Sequence, residues 1–109
     1  DIGDKVLKEV SNCMAFEVDK LPSAIFGRWG GEEFLVLAPT LNAKQIFDNI
    51  ETARKRVSSL NISPVGVVTL SLGVTSFCPG DDYEAFFKRA DDALYEAKAT
   101  GKNKSILIL

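Results

Sequence analysis

A chain of 109 residues, of which 46% are hydrophobic and 26% charged, is long enough for one folded domain and too apolar for intrinsic disorder. Its formal net charge of −2 gives no electrostatic case for nucleic-acid binding, and no apolar run is long enough to span a membrane. The absence of histidine excludes a Ser-His-Asp triad and an imidazole zinc site. Cys13 and Cys78 form no CxxC pair, which predicts buried free thiols and a cytoplasmic location.

The first predicted element is an amphipathic helix. Asp4 is its candidate N-cap, because a short carboxylate side chain satisfies the free amides of a first helical turn. The apolar residues that follow recur every three or four positions and so share one helical face. These residues are Val6, Leu7, Val10, Cys13 and Met14.

A β-hairpin is predicted next. Two apolar segments, 23–29 and 32–38, flank Gly30 and Gly31. A two-residue Gly-Gly loop suits a type I′ turn, since both of its central residues need positive φ angles.

The rest of the chain predicts a helix, a strand, a helix and a final strand. Asn42 and the GDD stretch before Tyr83 are the candidate caps of the two helices, and Gly101 is the candidate stop of the second. The aromatic residues of that second helix are expected to pack in the core: Phe86, Phe87 and Tyr95. In chain order the four elements lie at 43–60, 67–77, 83–97 and 105–109. The order α-β-β-α-β-α-β predicts an α/β fold in which helices cover a mixed sheet.

A pair of carboxylates follows the two glycines of the predicted hairpin. In a tight turn Trp29 would pair with Glu32 and Arg28 with Glu33. One interpretation is a solvated hairpin end with an Arg28–Glu33 ion pair, worth at most ~1 kcal/mol. The other is a hard-cation site, because Mg²⁺ binds carboxylates, water and phosphates. Local features favour the ion pair, since both glutamates reach one ion only if the turn interrupts strand alternation at Glu32.

Two further groups each have two interpretations. Lys98, Lys102 and Lys104 surround Gly101, either as favourable charge at a helix C-terminus or as a clamp for phosphate. Local features favour the helix C-terminus. Asp4 is either only an N-cap or an acceptor of hydrogen bonds from the edge of a guanine, and nothing local decides between these roles.

Four segments together resemble one family. They are GDKVLKEV at 3–10, RWGGEEF at 28–34, VTLSLGV at 68–74 and ADDALYEAKATGKNK at 90–104. In this order and spacing they resemble the GGDEF domain, the diguanylate cyclase domain of bacteria. The resemblance implies a palm-like α+β fold, similar to nucleotide cyclases and polymerases, with a mixed or antiparallel central sheet flanked by helices.

The resemblance also implies a reaction, its cofactor and its residues. Two GTP molecules would condense into cyclic di-GMP and pyrophosphate with Mg²⁺, or Mn²⁺, as cofactor. Glu32 would be the catalytic base and a metal ligand, and Glu33 a further metal ligand. The substrate-binding residues implied are Asp4 for guanine, Gly30 and Gly31 for close backbone approach, and Lys98 and Lys102 for the triphosphate.

Two departures from the family pattern qualify this expectation. The strand and helix that normally precede GDKVL, with a metal-binding aspartate and a guanine-binding asparagine, are missing from this sequence. Residues 1–109 are therefore expected to be a single GGDEF domain without its first strand and helix, and inactive by themselves. Leu21-Pro22-Ser23-Ala24 replaces an Arg-x-x-Asp motif, so the product-inhibition site is expected to be absent.

The expected partners are GTP and a second GGDEF domain in a homodimer, with a sensory domain elsewhere in the full-length protein. Neither nucleic acid nor membrane insertion of this domain is expected. A rival hypothesis is a degenerate domain that binds a nucleotide or a partner protein without catalysis. A plain structural α/β module is the last alternative, because it treats four ordered motifs as coincidence.

Overall fold

The computed structural model describes residues 1–30, 33–39 and 41–108. The observed order confirms the predicted α-β-β-α-β-α-β succession. Within these ranges, no helix combines the length and the apolar character that crossing a membrane requires. The elements are α1 (Ile2–Val18), β1 (Ile25–Gly30), β2 (Glu33–Leu37), α2 (Ala43–Ser58), β3 (Ser71–Val74), α3 (Tyr83–Ala99) and β4 (Lys104–Leu107).

The strands form two small sheets. β1 and β2 pair antiparallel as a hairpin, whereas β3 and β4 pair parallel and are connected through α3. The mixed α/β class is confirmed, but the single central sheet is not: in the described part of the chain the two pairs remain separate. The strand predicted at 67–77 is also shorter, because only Ser71–Val74 finds a partner strand.

The helix caps agree with the predictions except at α1. Asp1, not Asp4, is the N-cap, and its Oδ1 accepts a hydrogen bond of 2.8 Å from the backbone N–H of Asp4. Asp4 thus lies in the first turn, where a carboxylate interacts favourably with the helix dipole. Asn42 caps α2 in a reciprocal arrangement with Gln45, and Asp82 caps α3.

The hydrophobic core lies between α1 and α2. Val10 and Met14 of the predicted apolar face of α1 are buried with Ala53, Val57 and Ile62. Phe26 and Phe34 pack against this cluster from the hairpin and stack with ring centroids 5.5 Å apart.

Two predictions of burial are wrong or too strong. Tyr95 is 75% exposed because it lies on the outer face of α3, and Phe86 and Phe87 are half-buried. Cys13 and Cys78 are free thiols, as predicted, but both are only partly buried.

Gly73 fixes the distance between β3 and α3. A Cβ at this position would lie 2.3 Å from the carbonyl O of Ala90 and 2.4 Å from the amide N of Leu94. The helix backbone therefore rests directly on the strand, helped by Ala93 and Ala97, which are both completely buried. This contact sets the position of the C-terminal end of α3.

Candidate functional site

The hairpin contains a β-bulge next to the paired glutamates. Arg28 pairs with Phe34 and Gly30 pairs with Glu33, with a shift of register between the two pairs. The predicted cross-strand pairing of Arg28 with Glu33 is therefore wrong, whereas the predicted ion pair between their side chains lies outside what the structure describes. Gly30 belongs to β1 and not to a two-residue Gly-Gly loop. The predicted pair of Trp29 with Glu32 lies outside the described residues, as does Gly31.

This register places Glu33 as the first residue of β2 with an exposed side chain. The register shift lies on β1, between Arg28 and Gly30. Glu32 itself lies outside the described residues, so its role as catalytic base and metal ligand stays a prediction.

A large cleft separates the two sheets. Its volume is about 1350 Å³, and its lining includes both β2 and β3 together with parts of α1, α2 and α3. Small-molecule pockets typically measure about 300–1,000 Å³, so a single nucleotide would not fill this space. The lining is mainly apolar, and its charged members are Glu33, Asp91, Lys98 and Lys102.

The three lysines around Gly101 have different surroundings. Nζ of Lys104 donates a hydrogen bond of 2.5 Å to the carbonyl O of Thr100, so Lys104 serves the C-terminal end of α3. Lys98 and Lys102 are exposed and line the cleft. Lys98 also lies in the last turn of α3, where a positive charge suits the helix dipole, so the helix-terminus interpretation describes both Lys98 and Lys104. Lys98 and Lys102, which line the cleft, are the candidates for binding an anion.

The predicted stop at Gly101 is confirmed. Gly101 has a φ of 122°, and the N–H of Lys102 donates a 2.9 Å hydrogen bond to the carbonyl O of Ala97. This is the bond that closes a Schellman motif. The turn brings Lys102 back beside the helix end that carries Lys98.

Asp4 does not line the large cleft. It borders a shallow depression of about 250 Å³ with Leu7, Lys8, Ser11 and Phe34. Leu7 and Phe34 line both spaces, so the depression adjoins the cleft. The structure thus brings Glu33, Lys98 and Lys102 to one cleft and leaves Asp4 beside it.

The described residues contain no cluster of three or more potential metal-ligating side chains. Mg²⁺ nevertheless needs only one or two protein carboxylates when phosphates and water complete its shell. Exposed Glu33, at the edge of a cleft that also holds two lysines, fits such a site. The identity of the metal stays a prediction.

Sequence reasoning missed an ion pair on α2 that holds the loop carrying Lys102. Nε and Nη2 of Arg54 donate to the two carboxylate oxygens of Glu51 at 2.7 and 2.9 Å. Nη1 of Arg54 donates to the backbone O and to Oδ1 of Asn103 at 3.0 and 2.8 Å. The Glu-x-x-Arg spacing on a helix was a visible signal for the pair, but its contact with Asn103 was not.

Acid is expected to weaken the fold through Glu51. The hydrogen bonds from Arg54 lower the pKa of its carboxyl from 4.5 to about 2. A depressed carboxyl pKa gives stability that is complete above the unfolded value and is lost as the pH falls towards the folded value. Melting temperatures should therefore fall further for wild type than for Glu51→Gln between about pH 5 and pH 2.

A matched control for this measurement is Glu9→Gln, which changes an exposed carboxylate on α1. Its melting curve should follow wild type over the same range. Parallel pH profiles for wild type and Glu51→Gln would contradict the assignment.

Comparison with known proteins extends these observations. The family model described as "Diguanylate cyclase, GGDEF domain" matches residues 1–104. Diguanylate cyclase DgcM of Escherichia coli is 40% identical over 102 residues, covering 94% of this chain and 24% of DgcM. The response regulator PleD of Caulobacter vibrioides is 38% identical over 112 residues, with the same two coverages of 94% and 24%. The chain thus spans about a quarter of the length of these relatives.

Solved structures of diguanylate cyclase domains are also similar to this chain. The active GGEEF domain of a diguanylate cyclase from Vibrio cholerae has a TM-score of 0.85 at 28% identity, covering 95% of this chain and 67% of that one. Diguanylate cyclase SiaD from Pseudomonas aeruginosa, solved with its activator SiaC, has a TM-score of 0.81 at 36% identity, covering 96% and 41%.

The fold and its structural neighbours define a palm-like α/β domain. The chain belongs to the diguanylate cyclase GGDEF-domain family.

Proposed function

We propose that this chain is the larger part of a diguanylate cyclase domain, which condenses two GTP molecules into cyclic di-GMP and pyrophosphate. The observation that carries the proposal is a single cleft whose lining includes Glu33 of the hairpin and two lysines at the end of α3. A carboxylate and two ammonium groups around one space suit a metal-bound triphosphate. Each domain would hold one GTP, and two domains would face each other as a homodimer.

Positioning and charge stabilisation are the tasks of the protein in this reaction. Lys98 and Lys102 bind the triphosphate as point charges, and Asp4 accepts hydrogen bonds from guanine in the adjoining depression. Glu32 accepts the proton of the attacking 3′-hydroxyl, which then bonds to the α-phosphorus of the second GTP as pyrophosphate leaves.

Mg²⁺, or Mn²⁺, would be held by Glu32 and Glu33. When bound, such an ion neutralises phosphate charge. Gly30 and Gly31 leave room for the backbone of the hairpin to approach the nucleotide, since neither carries a side chain.

The proposal also includes an additional strand that would lie in the cleft. β2 and β3 both line the cleft, and its volume exceeds the space that a small ligand needs. A strand laid between them would join the two sheets into the single sheet that the resemblance implies. On this proposal, the space between β2 and β3 receives one additional strand in the complete domain.

A regulatory nucleotide-binding domain without catalysis is the second candidate. Lys98 and Lys102 of the cleft suit the binding of a nucleotide whether or not a reaction follows. A sensory domain elsewhere in the protein fits either function, as does a cytoplasmic location, where GTP is present. The two candidates differ in whether cyclic di-GMP is formed.

The test uses the full-length protein, GTP and Mg²⁺, with cyclic di-GMP measured by chromatography. We expect turnover by the full-length protein and none by residues 1–109 alone. Lys98→Met should raise KM for GTP more than it lowers kcat, because it removes a phosphate contact. Lys88→Met, on the same helix but ion-paired with Asp92 at 2.9 Å, is the matched control and should resemble wild type.

Turnover by residues 1–109 alone would contradict the proposed missing strand. Tight GTP binding by the full-length protein without product would favour the regulatory function instead.

A further inference from the structure

The loop between α3 and β4 has an unusual backbone conformation. Gly101, Lys102 and Asn103 have φ angles of 122°, 60° and 48° in succession. Asparagine tolerates this left-handed region better than most residues, whereas a lysine there is uncommon. For residues other than glycine, such conformations are energetically costly and persist only where the surroundings enforce them.

Arg54 enforces this conformation from the neighbouring helix. Its Nη1 contacts both the backbone O and the side-chain Oδ1 of Asn103, so it fixes the main chain and the side chain of one residue together. Only 12% of the Arg54 side chain is exposed. Two hydrogen bonds to Glu51 fix the plane of its guanidinium group. The clamp is therefore rigid and well placed to hold the preceding residue, Lys102.

We propose that Arg54, oriented by Glu51, is a positioning residue that holds the 101–103 loop so that Lys102 is presented to the nucleotide phosphates. Arg54 is absent from the lining of the cleft, so it acts through the loop. The inference rests on the proposed function, because it gives Arg54 a task only if Lys102 binds phosphate.

The experiment measures the Kd of the full-length protein for a non-hydrolysable GTP analogue with Mg²⁺, so that it does not depend on turnover. Arg54→Met removes the clamp and should raise Kd about tenfold, in line with the loss of one phosphate contact. Arg54→Lys keeps the charge but loses the planar fork, and should give a smaller increase. Lys44→Met, an exposed change at the start of α2, is the control and should leave Kd unchanged.

A double-mutant cycle separates positioning from general damage. If Arg54 acts through Lys102, then Arg54→Met should add almost nothing to Kd in a Lys102→Met background. If Arg54 has only a structural role, Arg54→Met should lower the melting temperature, and its effect on Kd should be the same with or without Lys102→Met. Asn103→Gly, which removes one acceptor but tolerates positive φ, covers the case in which Arg54→Met does not fold, and should raise Kd about threefold.

The outcomes distinguish the inference from the proposed function. If Lys102→Met raises Kd while Arg54→Met and Asn103→Gly leave it unchanged, the positioning role is wrong and the phosphate site stands. Additive effects of the two substitutions would also overturn the positioning role. If Lys102→Met leaves Kd unchanged, both the phosphate site at Lys102 and the role of Arg54 are wrong.

Discussion

Gly73→Ala is expected to destabilise the domain by about 2–3 kcal/mol, because a methyl group has no space between β3 and α3. The added Cβ would lie 2.3 Å from the carbonyl O of Ala90 and 2.4 Å from the amide N of Leu94. Both atoms belong to the helix backbone, so no side-chain rotation relieves the contact. The whole of α3 has to move away from the strand, which also displaces Lys98 and the turn after it.

A matched control is available in the hairpin. Gly27 is also a strand glycine, but a Cβ there would meet no atom within 4 Å. Gly27→Ala should be neutral or stabilise by up to about 1 kcal/mol, since alanine restricts the unfolded chain. For a domain of this size, 1 kcal/mol corresponds to about 4–8 °C in melting temperature. Thermal unfolding of both variants therefore gives a clear contrast, and equal melting temperatures for Gly73→Ala and wild type would contradict the close packing.

Periodicity predicted the helices well because it reports a local property. The apolar face of α1, the Asn42 cap of α2 and the stop of α3 at Gly101 depend on residues close together in sequence. Asp4 was misplaced as a cap by three positions, because Asp1 offers the same side chain earlier. Tyr95 was misplaced because proximity to the apolar face of a helix does not guarantee burial.

Strand pairing was predicted less well because it depends on distant partners. Alternation over 67–77 describes an extended chain with two faces, but only Ser71–Val74 meets β4. The hairpin register was wrong by one residue, since a bulge at the end of β1 is not encoded by the two glycines alone.

The sequence predicted which residues form the candidate site, but not how they are arranged in space. The sequence indicated Lys98 and Lys102 by local clustering, but their shared cleft with Glu33 depends on how α3 packs against β3. Buried charge was not predicted at all. Glu17 is only 2% exposed, and its carboxylate accepts hydrogen bonds from Lys20 at 3.0 Å and Arg56 at 2.6 Å. The sequence alone does not distinguish a charged residue on the surface from one in a buried ion pair.

Loss of turnover is the expected result of Glu32→Gln in the full-length protein. If Glu32 is only a surface charge near a hairpin turn, the change should alter stability by at most ~0.5 kcal/mol and leave activity nearly intact. If it is the general base and a metal ligand, the amide keeps the shape but cannot accept the proton and coordinates Mg²⁺ poorly. Loss of general-base function alone typically costs about 10²–10⁴ in rate, and loss of metal charge adds to that.

Two further variants separate these effects. Glu33→Gln removes a proposed metal ligand but not the base, so a higher Mg²⁺ concentration should partly restore the turnover of this variant. The same increase in Mg²⁺ should not restore the turnover of Glu32→Gln. Glu96→Gln, an exposed change on α3, is the control for the loss of one negative charge. Circular dichroism should be unchanged in all three variants. A Glu32→Gln protein that keeps more than about a tenth of wild-type turnover, against the expected loss of at least 10²-fold, would remove Glu32 from the reaction.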